Sequence, residues 1–112
     1  MIIPFQITDW DKVPGVVHPG EKGEAIWKTL QYDGLRIRMV EYTPGYLADH
    51  WCTKGHIIYC IDGEMVSHLA DGTQQTLKTG MTYQVTDDTS SHKSQTEKGV
   101  KLLIIDGDFL KP

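Results

Sequence analysis

The stretch from Gly45 to Ile61, GYLADHWCTKGHIIYCI, contains three potential metal donors, His50, Cys52 and His56. Side chains alternate between the two faces of a strand, so His50 and Cys52 are predicted to share a face. The turn at 53–55 is three residues long and ends in glycine, which predicts a hairpin with Cys52 directly opposite His56. All three donors would then project from one side of one hairpin end, close enough to bind a single ion.

The same register separates the two cysteines of the chain. Cys60 would lie roughly 13 Å from the level of Cys52, at about 3.3 Å per residue. A disulfide requires Cα atoms within about 7 Å, so none is expected between them. Cys60 is instead predicted to be a small buried apolar side chain on the inner face.

A fourth donor would have to come from another strand. The remaining histidines are His18, His68 and His92. His18 lies in a Pro-Gly segment and His68 lies near a predicted hairpin tip, so both favour ordinary loop or strand roles. His92 opens the run HKSQT and is the best candidate to complete the site. The alternative stays open that these histidines are ordinary surface or core residues.

The rest of the chain consists of short β-rich runs separated by glycine-containing turns. Three Asp-Gly pairs, at 33–34, 62–63 and 71–72, predict three hairpins, because a type I′ turn needs positive φ at both central residues. About nine strands at even spacing favour an antiparallel sandwich or barrel. Residues 1–25, rich in Pro and Gly, are predicted to form an arm that packs on the barrel or on a partner. Residues 26–112 would form the single domain.

Composition narrows the classes of function. The 112 residues are 39% hydrophobic and 23% charged, as in ordinary globular domains. A net charge of −4, with no stripe of Lys and Arg, argues against nucleic acid binding. No apolar run approaches the roughly 20 residues that span a bilayer, and no secretory signal pattern is present. A cytoplasmic location is therefore expected, where thiols stay reduced.

These patterns resemble the metal-binding motifs of the cupin superfamily. The first motif matches a glycine, a His-x-His position, a Glu position and a second glycine, here Gly45, His50-x-Cys52, His56 and Gly63. The second, weaker motif runs from Gly80 to His92. The closest resemblance is to small single-domain DHCW-motif cupin-fold proteins, and it covers roughly residues 24–107.

The resemblance implies an all-β double-stranded β-helix, a small jelly-roll barrel, with a metal near its open end. His50 and His92 match cupin histidines, Cys52 stands where a second His is usual, and His56 stands where Glu is usual. Such a donor set of three imidazoles and a thiolate suits zinc, with nickel, iron or copper as alternatives, and suits magnesium poorly.

Three hypotheses for function remain open. The first is a metal-dependent enzyme acting on a small polar substrate. The second is a non-catalytic module that binds a small ligand or senses a metal. The third is a barrel without metal that has a structural role. The leading interpretation is a small cytoplasmic metal-binding cupin that forms a homodimer through its outer sheet.

Strand alternation also predicts which side chains line the cavity. Tyr46, Ile58 and the Met or Tyr of the segment 80–83 should face inward, whereas Trp51 and Tyr59 should face outward.

Arg36 and Arg38 alternate with apolar residues in the run LRIRM. They are expected to face solvent. If they faced the barrel instead, they would be natural anchors for a substrate carboxylate.

Overall fold

The computed structural model describes all 112 residues and consists almost entirely of antiparallel strands. The eight strands are β1 (Val16–Pro19), β2 (Glu24–Tyr32), β3 (Leu35–Tyr42), β4 (His56–Leu69), β5 (Gln74–Lys78), β6 (Thr82–Val85), β7 (His92–Gln95) and β8 (Val100–Gly107). Two single 3₁₀ turns, Trp10–Lys12 and Asp108–Leu110, are the only helical segments. No helix has the length and apolar character needed to cross a membrane.

Strand β4 organises the fold because it takes part in both sheets. Its first half pairs with β6 and β8, and its second half pairs with β5 and β7. The strands follow the order β1-β2-β3-β8-β4-β5. The transition occurs at a register shift between Cys60 and Asp62, where a bulge lets the strand bend from one sheet into the other. The predicted antiparallel barrel is thus confirmed.

Two of the three predicted Asp-Gly hairpins are confirmed. Asp33-Gly34 joins β2 to β3, and Asp71-Gly72 joins β4 to β5. The third prediction is wrong, because β4 runs without interruption through Asp62-Gly63. Gly63 is paired with Val100 and has a φ of 96°, so its left-handed conformation lies within a continuous strand, two residues after the bulge at Ile61, rather than in a chain reversal.

The hairpin predicted around residues 53–55 is also wrong. Residues 45–52 form no strand against β4, and only isolated bridges link them to β7. The backbone N–H of Cys52 donates to the carbonyl of His92 at 2.8 Å, and that of His92 donates back at 3.0 Å. The start of β4 pairs instead with β6, so that His56 lies opposite Val85. Cys52 is therefore placed beside His92 by backbone pairing.

The predicted N-terminal arm is more regular than expected. It contains the first 3₁₀ turn and β1, which pairs with β2 as an edge strand. The sheet therefore extends into residues 16–25, because the backbone groups of β1 find partners there. A boundary at residue 25 stays a prediction.

The core lies between the two sheets. Its buried side chains are Val40, Ile58, Cys60, Met65, Leu77, Val100, Leu102 and Ile104. Cys60 is fully buried, as predicted, and the thiols of Cys52 and Cys60 are both free.

The positive φ of Gly63, beside the bulge in β4, predicts a specific sensitivity to substitution. Gly63→Ala should lower the free energy of unfolding by about 2–4 kcal/mol, since its new Cβ would lie 2.6 Å from the Gly99 carbonyl oxygen and φ is positive. Gly72→Ala is the matched control, because φ is also positive there but a Cβ would meet nothing within 4 Å. Gly72→Ala should lower the free energy of unfolding by only about 1 kcal/mol. Urea unfolding measures both, and equal losses would contradict the prediction.

Candidate metal centre

Three potential metal donors converge at one end of the barrel. The ligating atoms of Cys52, His56 and His92 all lie within 4.8 Å of one another. Cys52 Sγ is 3.6 Å from His56 Nε2, and the two imidazole centroids are 5.3 Å apart. Three of the four predicted ligands are thus brought together by the fold.

Backbone hydrogen bonds at or next to the three donors hold them in place. His56 is the first residue of β4, and the preceding Gly55 donates its N–H to Asp87 Oδ1. His92 is the first residue of β7 and exchanges backbone hydrogen bonds with Cys52. Gly55 also has no room for a side chain, since a Cβ would lie 2.5 Å from the Val85 carbonyl oxygen.

The His56 ring presents one nitrogen to the cluster. Its Nδ1 lies 2.9 Å from Asp106 Oδ2, a carboxylate oxygen that can only accept a hydrogen bond from it. The proton is therefore placed on Nδ1, and the lone pair of Nε2 points toward Cys52. This carboxylate–histidine arrangement orients metal-binding histidines in proteins.

The His92 ring is arranged in the same sense. Its Nδ1 donates to the carbonyl oxygen of Ser90 at 3.2 Å, which leaves the lone pair on Nε2. That Nε2 is buried and has no hydrogen-bond partner. Burial also lowers the pKa of His92, which favours the neutral, ligating form. A buried acceptor without a partner is unusual in a folded protein, and a metal ion would satisfy it.

The half-buried Cys52 thiol favours ionisation. Burial by itself raises its pKa, but the adjacent His56 ring, the backbone at Lys54 and the charge of Arg38 together lower it by more. The net result is a pKa below the ordinary value of a thiol. The thiolate is the form of cysteine that binds metals.

His50 stands apart from this cluster. Its side chain is 75% exposed, and Nδ1 lies 2.6 Å from Asp49 Oδ1. It does line the same cavity as the three clustered donors. Its predicted role as a ligand stays a prediction, and its partner Asp49 is exposed as well.

The expectation that the arginines face solvent is wrong. Arg38 is only 4% exposed, and Arg36 is largely buried. Arg36 binds the Asp106 carboxylate through Nε and Nη2 at 2.9 Å, and Arg38 Nη2 binds it at the same distance. The buried carboxylate gives both guanidinium groups a shared hydrogen-bonded partner inside the barrel, which reduces the free-energy cost of leaving water.

Sequence reasoning missed Asp106, although a signal was present. It shares the buried face of β8 with Leu102 and Ile104, where a carboxylate is out of place unless it is paired. Burial raises the pKa of Asp106, but the hydrogen bonds from His56 and Arg36 and the charges of both arginines outweigh it. The pKa of this carboxyl is therefore held well below its usual range, and Asp106 is ionised.

The donors open into a cavity of about 350 Å³. Tyr46, Ile58 and Tyr83 line it, as predicted, and Trp51 and Tyr59 are exposed on the outside, also as predicted. A second cavity of about 500 Å³, between β5 and β6, shares Tyr83 and His92 with the first.

The sequence matches no known family model and no curated protein at a significant level. Solved structures do match. A predicted oxalate decarboxylase from Thermotoga maritima is 18% identical, with a TM-score of 0.75 over 91% of this chain and 99% of the other. An RmlC-like cupin from Shewanella frigidimarina is 14% identical, with a TM-score of 0.74 over 93% and 91%. The polyketide cyclase from Streptomyces resistomycificus is 18% identical, with a TM-score of 0.75 over 93% and 80%.

The chain has the cupin fold. The predicted cupin resemblance is confirmed at the level of the fold, since these structures superpose on this chain over more than 90% of its length with TM-scores of 0.74 to 0.75. The likeness to DHCW-motif proteins and the activity are not addressed by these neighbours. The cupin barrel places Cys52, His56 and His92 where its strands converge on a cavity.

The donor set fits a transition metal. Two imidazole lone pairs and a thiolate suit zinc and its first-row neighbours, whereas magnesium and calcium prefer oxygen ligands. The partnerless Nε2 of His92 and the prearranged Nε2 of His56 both point to such an ion.

The buried carboxylate predicts a large effect of a near-isosteric change. Asp106→Asn should lower the free energy of unfolding by about 3–5 kcal/mol, because two buried guanidinium groups lose their counter-charge. Asp108→Asn is the control, since Asp108 is exposed and pairs with Lys111 at the surface at 3.4 Å. Asp108→Asn should change the free energy of unfolding, measured in urea, by no more than about 0.5 kcal/mol. A similar loss of stability in both variants would contradict the prediction.

Proposed function

We propose that the protein is a metal-binding cupin that uses its barrel cavity to act on, or bind, a small polar molecule. Cys52, His56 and His92 would hold the metal. The observation that carries the proposal is the buried Nε2 of His92, which has no partner and lies with two other donors within 4.8 Å.

Zinc is the metal that this donor set favours, with nickel, iron and copper as alternatives. When bound by three protein donors, such an ion supplies a Lewis acid and can activate a water molecule. Around it, Asp106 holds the proton of His56 on Nδ1, and Ser90 does the same for His92. The aromatic walls of Tyr46 and Tyr83 limit the access of water.

The number of protein donors separates the enzyme from its alternative. With three donors a coordination position stays open, which an enzyme needs. If His50 turned from Asp49 to supply a fourth donor, the sphere would close, and a metal-sensing or non-catalytic ligand-binding role would follow. His50 lines the same cavity, so a fourth donor is available for this second function. The structural neighbours named as an oxalate decarboxylase and a polyketide cyclase support small-molecule chemistry without identifying a substrate.

The N-terminal arm supports the predicted homodimer. Its large apolar side chains Ile2, Phe5 and Ile7 are each almost fully exposed, and burying them against a second chain would remove this apolar surface from water. Gln6 fastens the arm to the barrel through a hydrogen bond to the Tyr32 hydroxyl. The free thiols are compatible with the predicted cytoplasmic location, which stays a prediction.

Metal analysis of untagged protein tests the main proposal. We expect about one zinc per chain, and each of Cys52→Ser, His56→Gln and His92→Gln should weaken zinc affinity by about 100-fold, because a few donors share about 10–16 kcal/mol. His50→Gln should lose about tenfold if it is a fourth, exposed donor. His68→Gln is the control, since His68 binds Gln95 outside the cluster.

Cobalt substitution gives an independent readout of the thiolate. The cobalt form should show a near-ultraviolet sulfur-to-metal charge-transfer band that disappears in Cys52→Ser. Unchanged affinity in Cys52→Ser, or protein that retains no metal, would contradict the proposal.

The homodimer can be tested with the two phenylalanines of the chain. Phe5 is 95% exposed, so Phe5→Asp should leave the monomer folded but shift the mass measured by light scattering from two chains toward one. Phe109→Asp is the matched control, at an exposed site beside the second 3₁₀ turn, and it should not change the mass. Wild-type protein with the mass of a single chain would contradict the dimer.

A further inference from the structure

The cavity that contains the candidate metal centre is strongly cationic. Its lining includes four basic side chains and no Asp or Glu: Arg36, Arg38, Lys54 and Lys93. The chain as a whole carries a net charge of −4, so the charge of the cavity lining is opposite in sign to the net charge of the protein. Both arginines of the protein are found in this one cavity.

The buried charges inside the cavity do not balance. Asp106 is the single carboxylate in contact with the two guanidinium groups, and Arg36 already satisfies it with two hydrogen bonds. Lys93 at the edge has its own partner, Glu21, at 3.5 Å. The two guanidinium groups share one carboxylate, so their cluster carries one net positive charge, and Arg38 is its more deeply buried member. Such a charge destabilises a fold by several kcal/mol unless something compensates it.

Arg38 also has unused hydrogen-bonding capacity. Its single hydrogen bond runs from Nη2 to Asp106 Oδ2, and its Nε is buried without a partner. The guanidinium carbon lies 4.3 Å from the centroid of the Trp27 ring, which covers one face and fixes the plane of the group. Burial, aided by the charge of Arg36, lowers the pKa of Arg38.

We infer that the cavity binds a small organic carboxylate, which accepts hydrogen bonds from Arg38 beside the metal centre. This inference rests on the proposed function for the role of the metal, but the Arg38 site stands on its own contacts. A planar carboxylate matches the planar donors of a guanidinium.

The walls of the cavity favour an organic anion over a bare inorganic one. Tyr46, Ile58 and Tyr83 offer apolar and aromatic surface opposite the charged groups. A volume of about 350 Å³ is at the small end of ligand pockets, and it suits a compact molecule. Lys54, exposed at the rim, adds charge that draws an anion toward the opening.

The Cys52 thiolate is the competing source of negative charge. If it alone compensated Arg38, no ligand would be needed. A bound metal ion takes up that thiolate charge, however, so the metal-loaded protein should bind a carboxylate more tightly than the metal-free protein.

The Nε–H resonance of Arg38 gives a direct test in zinc-loaded protein labelled with ¹⁵N. With only two arginines, Arg36→Lys identifies the two Nε signals. Propionate, its neutral counterpart propionamide and inorganic phosphate serve as the probes. Propionate should move the Arg38 signal downfield and saturate it, at an affinity at least about tenfold higher than that of propionamide or phosphate.

Variants separate a specific site from general attraction by charge. Arg38→Lys keeps the positive charge but loses the planar, paired N–H donors of the guanidinium. It should weaken propionate binding by about tenfold while zinc content stays unchanged. Lys54→Gln at the rim should weaken binding by about threefold. Lys98→Gln removes the same charge from an exposed turn outside the cavity and should have no effect.

The outcomes distinguish this inference from the proposed function. An Arg38 signal that propionate does not move in zinc-loaded protein would overturn the carboxylate site alone. If phosphate bound more tightly than propionate, the proposed ligand class, a carboxylate, would be wrong. If propionamide bound as tightly as propionate, the requirement for a negative charge would be wrong. Protein that takes up no zinc but shows the propionate shift, absent in Arg38→Lys, would overturn the metal proposal and support the Arg38 site.

Discussion

The ionised carboxylate of Asp106 is the contact on which the site depends. It joins three strands at one point, since it accepts hydrogen bonds from Arg36 and Arg38 on β3 and from His56 on β4. These bonds let two guanidinium groups enter the barrel and fix the tautomer of the imidazole. Without this carboxylate, the cavity would hold two unpaired charges and a ring free to turn.

Much of the fold was predictable from short-range patterns. Alternation identified the inward residues Tyr46 and Ile58, and two Asp-Gly turns marked their hairpins. Cys52, His56 and His92, which the fold brings together, were also among the candidate donors, because their residue types and the cupin resemblance agree. Alternation and turn signals depend on residues a few positions apart, and the donor motif depends on a fixed spacing. Both kinds of signal can be read from the amino-acid sequence alone.

The errors arose where distant partners decide the structure. The segment before Cys52 pairs with β7, some forty residues away, and a local turn cannot reveal that choice. Gly63 has the same left-handed backbone in a continuous strand as in a hairpin, so the sequence does not distinguish them. Arg36 is buried by a carboxylate 70 residues away, and alternation alone cannot tell which face of β3 is inside. His50 shares a motif with Cys52 but lies outside a regular strand, where alternation does not apply.

The pairing of Cys52 with His92 has a consequence for which metal this centre prefers. Peptide groups, which are common to every amino acid, set the spacing between these two positions. A substitution at either one changes the hardness of the donor while the scaffold keeps its place. In a metal-loaded protein, a single substitution at either position would therefore change which ion is preferred while the barrel stays as it is.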